Sequence, residues 1–388
     1  MSSSTLPSQF QQDVATLIRT SLEPQTEAID HGRYPADFLQ ELGRLGGFSV
    51  GLPVTEGGMG LDQAGQTELI AQIARVCGST AFLVWCQAIC AWYLHHTANT
   101  AARERYLRAV AKGTQLAGTG MSNAVKHLAG IERINLRAHK DREGYRVNGA
   151  LPWVSNLGAG HLLIVAAELD EGGYIMFAVP PESTALTLRA CPAFSGMEGT
   201  GTFNVRLKNA YVPPEDVLAD PASFDAYLGH IKPGFLLTQA GMGIGLVQAS
   251  IAAIQASNQR LAHVNQYLDD QADTLQRDLD GLRTEIVRLA QAGHDALPLD
   301  LLRARAQASE LCLHAAQSAA LHAGAAGYLL SSPTQRRLRE ALFVAIVTPA
   351  LKHLRKEIDR LEHGGSSASR DARHASEHTG SDLTQVAA

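Results

Sequence analysis

Trp153 and Ser155 are the residues of this chain whose types and spacing most directly offer chemistry. They stand two apart in the run Leu151 to Asn156 (LPWVSN), which reads as strand, and strand alternation puts both on one face. A flat indole beside a hydroxyl suits the edge of a planar cofactor ring. It also describes a core tryptophan with a serine nearby, and spacing alone leaves the two readings even. Arg260 is a second candidate, since a guanidinium fork matches phosphate geometry and stays charged at any relevant pH, though a lone surface arginine is ordinarily just solvated.

Other chemistry is excluded or unsupported. The five cysteines, Cys77, Cys86, Cys90, Cys191 and Cys312, show no paired metal spacing and imply a reducing compartment without disulfides. His374 and His378 have helical ligand spacing but lie in a polar stretch with no core to order them, so no metal site is expected. A net charge of −5 and a pI near 6.3 supply no broad positive field for nucleic acid or an anionic membrane. The N-terminus lacks a basic region followed by an apolar run, and no later stretch reads as a bilayer span, which points to the cytoplasm. The most apolar segment, Ala81 to Tyr93, is short, is interrupted by Gln87, and reads as a buried helix.

The elements that must position these residues fall into three blocks. Residues 1–113 show helical periodicity, as in Phe38, Leu39, Leu42 and Leu45, interrupted by the glycine loop GLPVTEGGMGLD (Gly51 to Asp62). Residues 114–220 read as strands, including Tyr145 to Val147, Leu162 to Ala167, Tyr174 to Val179 and Thr202 to Leu207, with Asn148-Gly149 and Asp170 to Gly173 as turns between strands. Residues 221–362 return to helix, and Leu275, Leu279, Leu282, Ile286 and Leu289 form a seam for packing within a bundle or between subunits. Residues 363–388 are polar and are expected to be disordered.

This order of blocks resembles the acyl-CoA dehydrogenase superfamily, and five segments carry the resemblance in register. They are the Gly51 to Asp62 loop, LPWVSN, SGMEGTGTFNVRLKNAYVPPEDVL (Ser195 to Leu218), RLAHVNQYLDDQ (Arg260 to Gln271) and HAGAAGYLLSSPTQRRLREA (His322 to Ala341). In RLAHVNQYLDDQ, His263 and Val264 replace the family's Phe and Gly. The resemblance implies an α+β fold with an N-terminal helical domain, a middle antiparallel β domain and a C-terminal four-helix bundle.

It also implies FAD as cofactor. Trp153 and Ser155 would contact the flavin, with Met121 and Ser122 at its pyrimidine side. Arg260, Gln271, Gly324, Ala325 and Gly327 would form a pyrophosphate site completed across a homo-oligomer, dimer or tetramer. Acyl-CoA or a similar acyl compound would be the substrate, with an electron acceptor or a flavin reductase as partner. After the segment ending MSN (Met121 to Asn123) the chain reads AVKHLAGI, two residues shorter than the family's glycine-rich loop.

One residue is missing. Abstraction of an α-proton calls for a positioned carboxylate, worth roughly 10²- to 10⁴-fold. The family's YEGT aligns with Val347, Thr348, Pro349 and Ala350, and the alternative base location, near Gly234 to Leu236, is not acidic either. Glu340 occupies the place of a structural Asp, Glu357 reads as a solvated helix residue, and His353 as a helix-surface residue. The catalytic residue is therefore left unassigned. The leading expectation is an acyl-CoA dehydrogenase-type oxidoreductase. The alternatives are a two-component flavin monooxygenase, which the faint likeness of Thr348-Pro349 to a terminal HxxHDP pattern suggests, and a catalytically silent ligand- or partner-binding member.

Overall fold

The computed structural model describes residues 5–364; the segment expected to be disordered and its two histidines lie outside the described residues, save for 363 and 364. The first third is helical: α1 (Ser8–Leu17), α2 (Thr26–Asp30), α3 (Ala36–Arg44), α4 (Gln63–Ala74), α5 (Gly78–His96) and α6 (Thr100–Ala111). Starts are set by side-chain caps. Asp62 accepts from the amides of Ala64 (3.0 Å) and Gly65, and Asn99 from that of Ala101 (3.1 Å), satisfying donors that a first turn leaves free.

Helix α5 is apolar almost all round and buried. Gln87, a polar residue in its buried interior, docks the next region. The amide donates to Val110 and Gln115 carbonyls and accepts from Ala117 N (2.8 Å) and Asn156 Nδ2.

The middle region is one sheet: β1 (Ala117–Thr119), β2 (Arg137–Asp141), β3 (Gly144–Val154), β4 (Leu162–Leu169), β5 (Tyr174–Val179), β6 (Leu186–Ala190), β7 (Phe203–Val212) and β8 (Val217–Ala219). Strand order is β6-β7-β3-β2-β4-β5-β8, with β1 also beside β4. The expectation of an antiparallel domain needs correction at two pairings, since β1–β4 and β2–β4 are parallel. Helix α7 (Ser122–Leu128) and the segment after it carry the chain from β1 to β2, so both strands reach β4 in its own direction. Asn148-Gly149 is not a turn between strands but a bulge inside β3, where Gly149 adopts φ +139° and the Asn148 side-chain Oδ1 accepts from Asn209 N. Asp170 to Gly173 does connect β4 to β5.

Strand β4 alternates between two cores: Leu162, Ile164 and Ala166 join the helical core, whereas Leu163, Val165 and Ala167 join the sheet's own core.

The last third contains α8 (Phe224–Asn265), α9 (Ala272–Ala292), α10 (Pro298–Ala323), α11 (Pro333–Ile346) and α12 (Leu351–His363), with a 3₁₀ segment at Gly324–Tyr328. Contrary to the expectation from sequence, α8 is long and apolar enough to cross a membrane by length and composition. Its most apolar window is 89% buried, so that apolarity faces protein at the centre of the bundle. Gly241 and Gly245 bring α8 against α4, where an added Cβ would meet the Thr67 and Ala71 carbonyls. The leucine seam of α9 is buried within this subunit.

Candidate functional site

Trp153 and Ser155 lie at the end of β3, and the structure separates their environments. Trp153 is 63% exposed, its ring edge-on to Phe194 with centroids 6.4 Å apart, so it is not a core tryptophan. Ser155 pairs with Thr202 (Oγ to Oγ1, 2.6 Å), which meets Thr200 at 2.8 Å, and Thr200 donates to the Met197 carbonyl (2.6 Å). This hydroxyl chain crosses from β3 to the start of β7. Thr200, at the end of a 3₁₀ turn, and Thr202, just before β7, escaped the sequence reading because nothing local distinguishes them from any other threonine.

Ser122 begins α7, just beyond β1, and buried Met121 is its N-cap. Ser122 Oγ lies 2.6 Å from Thr348 Oγ1, tying the sheet's first crossover to the segment between α11 and α12. Thr348's carbonyl accepts from Gln239 Nε2 (3.1 Å), and Gln239 Oε1 accepts from Arg305 Nε (2.7 Å). Gln239 and Arg305 are fully buried, on α8 and α10. Lys356 Nζ on α12 donates to Ala129 O (2.6 Å), fixing the other end of the α7–α12 contact.

The remaining candidates form a second, open area. Arg260 is exposed near the end of α8 and makes no recorded hydrogen bond or ion pair among the described residues. Gln271 spends its amide on the carbonyls of Asn265 (2.9 Å) and Leu268 (2.7 Å), closing the α8–α9 turn, so its donors are not free as a cofactor ligand would need. Gly324 is required by conformation, with φ +60° and open space where a Cβ would stand. Gly327 is required by packing, since a Cβ would lie 2.8 Å from that of Ala323. Ala325 is exposed. Around them the surface is unusually apolar: Val264, Tyr267, Leu321, Tyr328, Leu329 and Leu330 are all exposed.

The matches to known proteins agree with this architecture. Residues 7–114 match the family model "Acyl-CoA dehydrogenase, N-terminal domain". A probable acyl-CoA dehydrogenase of Bacillus subtilis, YngJ, is 24% identical over 351 residues, covering 86% of this chain and 91% of that protein. The mitochondrial isovaleryl-CoA dehydrogenase of Pongo abelii is 24% identical over 371 residues, covering 86% and 83%. The solved butyryl-CoA dehydrogenase of Megasphaera elsdenii superposes with a TM-score of 0.79 at 20% identity, over 93% of this chain and 98% of that one.

Residues 7–114 match the acyl-CoA dehydrogenase N-terminal domain, and the chain has the acyl-CoA dehydrogenase fold.

The resemblance implies a departure from the family's motifs where a base is wanted. Thr348, which it sets at the glutamate position, is bonded as described. The alternative location is closed: a Cβ on Gly234 would lie 2.5 Å from Trp92 Nε1, whose indole donates to the Ile231 carbonyl (3.2 Å). Glu340 is buried beneath the N-terminus of α5, accepting from Gly78 N (3.0 Å) beside Arg336 (3.5 Å). Burial raises its pKa, and its role is to seat α5.

Two expectations about exposure are overturned. Glu357 has a side chain only 14% exposed, paired to Arg360 at 3.0 Å, because α12 turns that face inward. His353 is buried on the same helix, one position from buried Leu354, and burial lowers its pKa.

Between α5, α8 and α11, the rings of Phe82, Trp85, Phe235 and Phe343 pack with centroids 4.7 to 5.7 Å apart and fill that junction. A cleft of about 230 Å³ between α4, α8, α9 and the N-terminal residues contains the Arg283–Glu68 ion pair and none of the expected site residues.

Proposed function

We propose that this chain is an FAD-dependent oxidoreductase acting on an acyl thioester or similar acyl compound, passing electrons to an external acceptor, with each cofactor site shared between two copies. The observation that carries the reading is an exposed flat indole and the Ser155–Thr202 hydroxyl pair at the end of β3, with a second pair, Ser122–Thr348, just beyond β1, in the acyl-CoA dehydrogenase fold.

The residues present fit the cofactor. Trp153 offers an exposed aromatic face to a planar ring, and the Ser155–Thr202 hydroxyls offer donors and acceptors to its polar edges. Arg260 carries an uncommitted guanidinium for a diphosphate, and the open space at Gly324 allows backbone approach. Bound flavin would supply a two-electron acceptor for substrate hydride.

Arg260 and its apolar surroundings are exposed in the single subunit, and covering that surface with a second copy would bury the leucines and tyrosines as well as complete the site. Gln271 shapes the turn beside Arg260 in this scheme rather than binding directly. With no carboxylate at position 348 or 234, the chain's contribution is to bind, orient and stabilise charge.

The test is anaerobic. The protein is loaded with FAD, freed of excess, and titrated with acyl-CoAs of several chain lengths while flavin absorbance is followed. Bleaching by at least one supports the proposal. Bound flavin that no acyl-CoA bleaches counts against the dehydrogenase direction and turns attention to reduced-flavin oxygen chemistry; failure to bind flavin overturns the reading.

A further inference from the structure

Among the described residues, Arg305 is a buried cation with no carboxylate hydrogen-bonded to it. All three of its recorded acceptors are neutral: Gln239 Oε1 for Nε, Ser309 Oγ for one terminal nitrogen and the Val344 carbonyl (2.8 Å) for the other. Its one recorded charge neighbour is Cys312, which burial keeps as a thiol. Burial lowers the arginine's pKa to about 10, which leaves it charged at neutral pH. Enclosing such a charge is costly and an apolar side chain would pack the bundle more cheaply, so its presence calls for a use.

The hydrogen bonds say where the charge is directed. A guanidinium only donates, so it fixes the Gln239 amide with Oε1 toward Arg305 and Nε2 toward the Thr348 carbonyl. Thr348 Oγ1 and Ser122 Oγ then meet at 2.6 Å. Each hydroxyl brings one hydrogen and their contact uses one, so one O–H remains on the pair. Unlike Gln239 and Arg305, both Ser122 and Thr348 are partly exposed.

We infer that Arg305, Gln239 and Thr348 form a relay that holds this remaining O–H for the carbonyl oxygen of a bound acyl thioester, stabilising negative charge that develops there. The inference rests on the acyl-thioester reading above. A carboxylate at position 348 would place an anion in this spot; here a neutral donor sits over a buried cation, an arrangement that favours an oxyanion. The Ser122–Thr348 pair touches the substrate, and Arg305 is a positioning residue acting through Gln239.

Acetoacetyl-CoA is the probe, because loss of its C2 proton to solvent leaves an enolate whose charge is shared by both oxygens and whose ultraviolet absorbance is distinct. Bound to the FAD-loaded full chain, it is expected to ionise at a pH lower than free probe by about one unit or more, a tenfold effect. Thr348→Val and Arg305→Met should abolish that shift, Thr348→Ser and Arg305→Lys should keep most of it, and equilibrium dialysis reports binding separately. If Arg305→Met does not fold, Thr348→Val, similar in shape at a partly exposed position, decides the matter alone. Probe that binds but ionises as it does in solution, or equally in wild type and Thr348→Val, overturns the relay while leaving the acyl-thioester reading standing. Probe that does not bind overturns both.

Discussion

The ring half and the phosphate half of the candidate site are built differently. Around Ser122, Thr348, Gln239 and Arg305 the polar atoms are paired within the subunit, and the glycines of α8 are there because helices touch. Around Arg260 the charge is unpaired, leucines and tyrosines are exposed, and Gly324 is there because of its backbone angles. The contrast teaches that one half is finished by the fold of a single chain and the other is left for something else to finish.

The largest expected effect is in the closed half. Gly245→Ala drives a methyl into the Ala71 carbonyl of α4 and should cost about 3 kcal/mol, read as a lowered midpoint in denaturant with unchanged slope. A neutral result would mean the α4–α8 contact is looser than described. In the open half, Arg260→Ala should leave stability within about 0.5 kcal/mol, as for an ordinary surface change. It should still weaken FAD binding roughly ten- to a hundredfold, the worth of a charge-assisted contact of about 1.5–3 kcal/mol. Equal FAD affinity by fluorescence titration would remove Arg260 from the site. Gly324→Ala sits between these cases, with about 1–2 kcal/mol of backbone strain and no collision.

A smaller effect sharpens the comparison from outside both halves. His96, at the end of α5, is surrounded by Trp92, His95, His230 and His294, while His95 itself contacts Glu56 at 2.5 Å. Burial first, and then the other imidazoles, push its pKa down to about 3. An unfolded histidine titrates near pH 6.5, so the unfolded chain takes up this proton first as pH falls. The neutral group's contribution is complete above about pH 6.5 and is lost as pH drops toward 3. Thermal midpoints of the wild type should therefore fall more steeply between pH 6.5 and 4 than those of His96→Phe, and parallel curves would exclude the cluster as a source of acid sensitivity.

The layout of helices, sheet and helices was legible because periodicity changes from 3.6 to 2 and back, and Ala81 to Tyr93 was legible as a buried helix although the role of Gln87 in docking β1 was not visible. The parallel pairings of β4 were not legible, since they depend on α7 forming after Ser122 where a loop was expected. Trp153 and Ser155 could be named from spacing, but their partners Phe194 and Thr202 lie about 40 to 50 residues away and carry no local signal. Arg305 was missed altogether: on a helix with polar and apolar residues interleaved, nothing local distinguishes a buried arginine from a solvated one. His353 was misjudged for the same reason, because its face is decided by what α12 packs against.

The proposal that two copies complete each cofactor site is tested most directly by mixing subunits. Trp153→Ala and Arg260→Ala each damage one half, and each alone should bind FAD weakly. Unfolded together and refolded, or exchanged under mild denaturant, they should recover tight FAD binding in a fraction of sites, because a mixed pair contains one site with Trp153 from one copy and Arg260 from the other. Mixtures that bind no better than the average of the two variants would contradict a shared site and place both halves within a single chain.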